Sequence, residues 1–298
     1  MKRLVAVDWG TSSLRAALLD GQGAVLGERS LPRGILTVQA GGFSSVLQDA
    51  CGDWLRPTDT LCLISGMAGS RQGWIEAPYC GCPAGFAEIS AQLAWIEPGR
   101  IAVVPGLSRE SDGVPDVMRG EETQVLGALR LLGIDDGLMV LPGTHSKWVR
   151  VARGRIEHFS TWMSGEFYAL LRQHSILART LPEADGELDA EAFTRGVDYA
   201  RQCGNLLHST FSARTLALFD RLPALSIPSY LSGLVIGEEL RSQSMDAAAS
   251  QLVLIGTAEL TRRYELALRS FGLRAFCVGS EATWRGLWAI ALSLRGLP

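Results

Sequence analysis

The 298-residue chain is 47% hydrophobic and 20% charged with a formal net charge of -3, the balance of a globular protein with room for two ordinary domains, each burying its own core. That charge leaves no basic footprint for nucleic acid, and no apolar run approaches a membrane span, so neither partner is expected. Met1-Lys2-Arg3 leads straight into an apolar strand without a signal-peptide hydrophobic region, which predicts a cytoplasmic location.

Residues 4–7, 14–19 and 24–29 read as an antiparallel meander of three short strands. Apolar residues at helical spacing predict a helix over 43–55, ended by Pro57. The buried run 61–64 then opens onto Ser65-Gly66-Met67-Ala68-Gly69-Ser70-Arg71, a small-residue loop at a strand end, which is where open α/β sheets bind ligands. A helix over 89–96, a strand over 101–104, a loop over 105–119 and a helix from Gly120 to Gly133 complete the first half. The meander returns at 139–141, 148–151 and 156–161. Residues 165–248 read as a mostly helical insertion punctuated by Pro182, Pro223 and Pro228, after which strand 252–256, helix 258–271, strand 275–278 and helix 282–294 resume the plan. The pattern is a duplicated α/β fold, with domains at 1–133 and 134–298.

Each half carries the same device. Asp8-Trp9-Gly10-Thr11-Ser12-Ser13 and Leu141-Pro142-Gly143-Thr144-His145-Ser146-Lys147 are tight turns between strands, in which glycine admits close backbone approach while hydroxyls and amides donate to oxygen anions. Phosphate is the guest such turns suit. Lys2 and Lys147 are the only lysines, and Lys147 sits in the second turn, where a compact ammonium suits a phosphate held as a point charge. Neither a dinucleotide fingerprint nor a Walker A loop nor a Gly-x-Ser-x-Gly elbow occurs.

A carboxylate beside a phosphate loop is repulsive unless a divalent cation lies between them, so Asp8 is the candidate to organise Mg²⁺. Glu121 and Glu122 fall in the first turn of a helix, where negative charge is favoured by unpaired N–H groups. Either could also take a proton from a phosphoryl acceptor, with Asp116 as a third choice, and helical spacing makes Glu121 the less buried of the pair. The cysteines, including Cys80-Gly81-Cys82, lack the neighbours a zinc site needs and are expected as free thiols.

Asp8 to Arg15, Leu141 to Trp148 and Leu254-Ile255-Gly256 resemble the first phosphate loop, second phosphate loop and adenosine segment of the sugar kinase, heat-shock protein 70 and actin superfamily. The segments Ser65 to Ser70, Met118 to Gln124, Thr161 to Glu166 and Tyr230 to Leu240 are similar to those of the 2-dehydro-3-deoxygalactonokinase family. The resemblance implies two ribonuclease H-like (actin/hexokinase-type) domains around a nucleotide cleft, with ATP and Mg²⁺. It implies phosphorylation of 2-dehydro-3-deoxy-D-galactonate at its terminal hydroxyl, in galactonate breakdown. On this reading Asp8, Gly10, Thr11, Ser12, Ser13, Arg15, Gly143, Thr144, His145, Ser146, Lys147 and Gly256 hold the nucleotide. Ser65, Gly66, Ser70, Arg71 and Arg119 face the sugar acid, with Arg71 preferred for its carboxylate. The segment Gly120-Glu121-Glu122 is also similar to the exopolyphosphatase branch, where a glutamate acts on water. A kinase for another sugar acid or ketose, and an inactive ligand sensor on the same fold, stand as alternatives. The insertion is expected either to complete the substrate pocket or to form a homodimer surface.

Overall fold

The structure, a computed structural model, describes residues 3–57, 59–243 and 251–296. Lys2 and positions 244–248 of the expected insertion lie outside the described residues. Contacts group the chain into one unit of Met1–Gly137, Val149–Ser160 and Val278–Pro298, and another of Leu138–Trp148 and Thr161–Cys277.

The first unit begins with strands β1 (Leu4–Trp9), β2 (Leu14–Leu19) and β3 (Val25–Leu31), helix α1 (Phe43–Cys51) and strand β4 (Leu61–Gly66). Strand β5 (Tyr79–Gly81), helix α2 (Phe86–Ala91), strands β6 (Ala94–Glu97), β7 (Ile101–Val103), β8 (Gly106–Ser111) and β9 (Val114–Met118), and helix α3 (Glu121–Leu132) follow. Strand β1 is apolar on both faces, as a central strand must be, and pairs antiparallel with β2 and parallel with β4. The sheet runs β3-β2-β1-β4-β7-β6. Its core packs Trp9, Phe43, Leu47, Ile64 and Val103, and the rings of Trp9 and Phe43 lie 5.4 Å apart.

Three expectations are corrected here. The helix expected over 43–55 stops at Cys51, where Gly52 and Asp53, both poor helix formers, turn the chain. The helix expected over 89–96 is displaced: α2 ends at Ala91, and Trp95 and Ile96 join β6, an edge strand antiparallel to β7. Sheet pairing overrides the local pattern there. The loop expected over 105–119 is the β8–β9 hairpin, in which Ser111 pairs with Val114 across Asp112-Gly113, with φ of 53° and 77°. An Asp-Gly pair is a strong two-residue hairpin signal.

The second unit is built on β10 (Gly137–Leu141), β11 (Ser146–Ala152) and β12 (Arg155–Trp162), then α4 (Ser164–His174), α5 (Ala190–Cys203), α6 (Leu206–Ser209), α7 (Phe211–Leu218) and α8 (Ile227–Arg241). Strand β13 (Leu252–Ile255), α9 (Ala258–Ser270), β14 (Phe276–Val278) and α10 (Glu281–Leu294) close the chain. The sheet runs β12-β11-β10-β13-β14. This is the order β3-β2-β1-β4-β7 of the first sheet again, with β10 and β13 parallel as β1 and β4 are. The duplication expected from the sequence is present, and the described part of the insertion is helical. The Asp189 carboxylate caps α5 by accepting the N–H groups of Glu191 and Ala192. Phe193, Val197 and Leu240 of α5 and α8 share a core with Val140, Trp148 and Leu254 of the sheet. Helix α10 is grouped with the first unit, packed against α3.

Candidate active site

In the first unit, β1 and β4 end side by side, with Asp8 paired to Ser65 and Trp9 to Gly66. The start of α3 reaches the same edge. Gly120, at φ 106°, precedes the helix, and a Cβ there would lie 3.3 Å from the Gly66 Cα, so only glycine suits both the dihedral and the approach. The Glu121 Oε2 accepts the Arg119 N–H at 3.0 Å, and Glu122 Oε2 accepts the Gly120 N–H at 2.7 Å. Glu122 is fully buried, and a chain runs outward from it: Thr123 Oγ1 donates to Glu122 Oε1 at 3.2 Å, and Ser65 Oγ donates to Thr123 Oγ1 at 3.0 Å. Burial first, and the neighbouring Glu121 charge second, push the Glu122 carboxyl up to about 8, against the pull of these hydrogen bonds. Glu121 is only half-buried, as its helical position suggested.

The first turn is braced by backbone. Gly10 N–H donates to Ser13 O at 2.9 Å, and the Ile35 and Leu36 N–H groups donate to Gly10 O and Thr11 O at 3.0 and 3.3 Å. Thr11 and Ser12 face solvent, and Ser13 is half-buried. Asp8 is ion-paired with Arg15, its direct cross-strand neighbour.

The loop after β4 separates the two arginines. Arg71 is 88% exposed and paired with Glu76 at 3.2 Å. Arg119 instead lies over the Tyr79 ring at 4.4 Å and donates Nη2 to Ala77 O at 2.8 Å. Its Nε and Nη1 are buried without a partner among the described residues, as is Ser70 Oγ. Asp116 lies on β9 and its carboxylate accepts its neighbour's Val117 N–H at 2.8 Å.

In the second unit the turn Gly143-Thr144-His145 is held from below by α4. The Glu166 N–H donates to Thr144 O at 3.0 Å, and the Glu166 carboxylate meets His145 Nε2 at 2.5 Å. Gly165 lies so close that a Cβ would come within 2.4 Å of Gly143 O. Thr144 and His145 are exposed, whereas Ser146 and Lys147 are buried, and Lys147 Nζ donates to Thr161 Oγ1 on β12 at 2.7 Å. Gly256, at the end of β13, faces Pro142. A cavity of 170 Å³ opens beside this turn, lined by Gly143, Ser164, Gly165, Tyr168, Arg263 and Tyr264 among others.

Sequence reasoning assigned no part to Glu166, Arg263 or Glu239. Glu239 is buried in α8 and bonded to Ser146, Trp148, Ser164 and Tyr264. The acidic pair Glu238-Glu239 closing the apolar run Leu234 to Ile236 was the available signal.

The 2-keto-3-deoxy-galactonokinase family profile matches residues 8–290. A protein of Rhizobium meliloti described as a probable 2-dehydro-3-deoxygalactonokinase is 40% identical over 97% of this chain and 96% of its own length. The 2-dehydro-3-deoxygalactonokinase of Escherichia coli is 35% identical over 97% of each chain. A solved structure from Sinorhizobium meliloti, provisionally given that same enzyme name, superposes with a TM-score of 0.91 at 38% identity, covering all of both chains.

Proposed function

This chain belongs to the 2-keto-3-deoxy-galactonokinase family, and on that premise we propose that it transfers the γ-phosphoryl group of ATP to the terminal, 6-hydroxyl of 2-dehydro-3-deoxy-D-galactonate. One observation carries the reading to particular residues: Asp8, Gly66 and the Glu121-Glu122 start of α3 share one edge of one sheet.

Glu121 accepts the proton of the attacking hydroxyl as the new P–O bond forms. Glu122 is unsuited to that step, because a carboxyl pushed up to about 8 keeps its proton at neutral pH. Its part is to hold the first turn of α3 through Gly120 and Thr123. Each unit supplies its own phosphate-binding turn: in the first, the hydroxyls and amides of Thr11, Ser12 and Ser13, and in the second, the Thr144 hydroxyl with the amides of Gly143, Thr144, His145 and Ser146. Lys147, as it stands, ties β11 to β12 through Thr161. The cavity beside Gly143 takes the adenosine end.

Among the described residues no cluster of three or more His, Cys, Asp and Glu side chains could hold a metal ion. Asp8 nevertheless fits Mg²⁺, which takes one or two carboxylates and completes its shell with phosphate oxygens and water. Asp8 would hold the ion once Arg15 turns to the phosphates, and the ion's chemistry is to neutralise phosphate charge.

For the substrate carboxylate, Arg119 replaces Arg71 as the favoured partner. Two buried guanidinium nitrogens without a partner are costly unless an anion arrives, and Ser70 Oγ is unmatched beside the same loop. ATP as co-substrate sets the reaction in the cytoplasm.

An ADP-coupled assay over a panel of sugar acids and ketoses tests this. The sugar acid named above should be turned over best, and Glu121→Ala should lower kcat by about 10²-fold or more. Turnover confined to another acceptor would overturn the substrate. Near wild-type rates for both Glu121→Ala and Glu122→Ala would overturn the base.

A further inference from the structure

Glu239 is 1% exposed, yet it has no cation beside it in the set of contacts that satisfies it. Its Oε1 accepts from Ser146 Oγ and Trp148 Nε1, both at 2.7 Å. Its Oε2 accepts from Ser164 Oγ and, at 2.8 Å, from Tyr264 OH. Four donors from three elements, β11, α4 and α9, thus converge on one carboxylate carried by α8. A half-satisfied group there would be expensive, so such a network survives only when its members are held in register.

Two of those donors flank the second turn. Ser146 follows Gly143-Thr144-His145 directly, and Ser164 precedes Gly165 and Glu166, the residues that press on Gly143 and bond to Thr144. Glu239 therefore fixes the spacing between the turn and the helix start beneath it, while Gly165 leaves no slack. We propose that Glu239 is a positioning residue for nucleotide binding, acting through Ser146 and Ser164 on the backbone donors of the Gly143–His145 turn. This rests on the reading of that turn as a phosphate site.

The test uses the full chain and ADP as probe, with calorimetric affinity and the kinetic constants measured together. Glu239→Gln turns an amide donor on two of the present donors. It should weaken ADP binding and raise KM for ATP by about tenfold or more, with KM for the sugar acid moved less than twofold. Ser164→Ala, a gentler cut in the same link, should shift both nucleotide constants in the same direction. Val197→Ala, in the core of the same unit, serves as control: it should lower Tm and leave ADP affinity unchanged. Wild-type ADP affinity in Glu239→Gln and Ser164→Ala would overturn the inference, as would equal weakening by Val197→Ala. Should Glu239→Gln fail to fold, Ser164→Ala against Val197→Ala decides alone. Thr144→Ala separates the two levels: if it too leaves ADP affinity untouched, the phosphate-site reading falls, whereas if it alone weakens binding, only the part given to Glu239 falls.

Discussion

The two sheets end in turns of one plan, yet each turn is braced differently, and each unit has its own buried glutamate. In the first unit the turn is held by main-chain bonds to residues 35 and 36, and Glu122 has donors in Gly120 and Thr123 beside a like-charged Glu121. In the second, Glu239 reaches four donors, two of which flank the turn itself. Burial pushes both carboxyls up against the pull of their donors, and at Glu122 the neighbouring Glu121 charge adds to it. A repeated fold therefore repeats strand order without repeating the polar groups that stiffen its loops. On the reading proposed above, Glu239 acts as a clamp and Glu122 as a proton-holding support.

The largest effect is expected where the clamp has least slack. Gly165→Ala forces a Cβ toward the Gly143 carbonyl at 2.4 Å, so KM for ATP should rise by roughly 10²-fold and stability should fall by about 1–3 kcal/mol. An unchanged KM for ATP would break the comparison on its second side.

The first side is sharpened by pH. The folded protein keeps the Glu122 proton up to about pH 8, against an ordinary value of 4.5. Its contribution is therefore fully present below pH 4.5 and is lost as pH rises through 8, because folding must hold a proton the unfolded chain has released. Glu122→Gln should flatten that decline, so that thermal melts of variant and wild type from pH 5 to 9 converge or cross toward the alkaline end. Parallel curves would show that Glu122 is already ionised at neutral pH, and it would then re-enter as a base.

The smallest effect is expected at Arg71. Its exposed pair with Glu76 is worth little, so Arg71→Ala should leave KM for the sugar acid within about twofold, while Arg119→Lys should raise it clearly. The reverse ranking would return the carboxylate to the exposed arginine.

Much of this was written in the chain. Apolar runs such as Leu4 to Val7 and Leu61 to Ile64 read as buried strands, and their repetition after Gly137 gave the duplication; the Gly-Thr-rich turns marked the candidate phosphate loops. Asp112-Gly113 announced a hairpin that a loop assignment passed over. What local pattern could not supply were choices made by distant neighbours. Whether residues 94–97 are helix or strand depended on β7 being free to pair, and which arginine is held inside the fold depended on Tyr79 and Ala77 packing against Arg119. The hydrogen bonding of Glu122 and Glu239 depended on donors between one and 93 residues away. Periodicity and turn chemistry act over a few residues and so are legible in sequence, whereas burial, and the proton affinity and hydrogen bonding that follow from it, is a sum over everything the fold brings near.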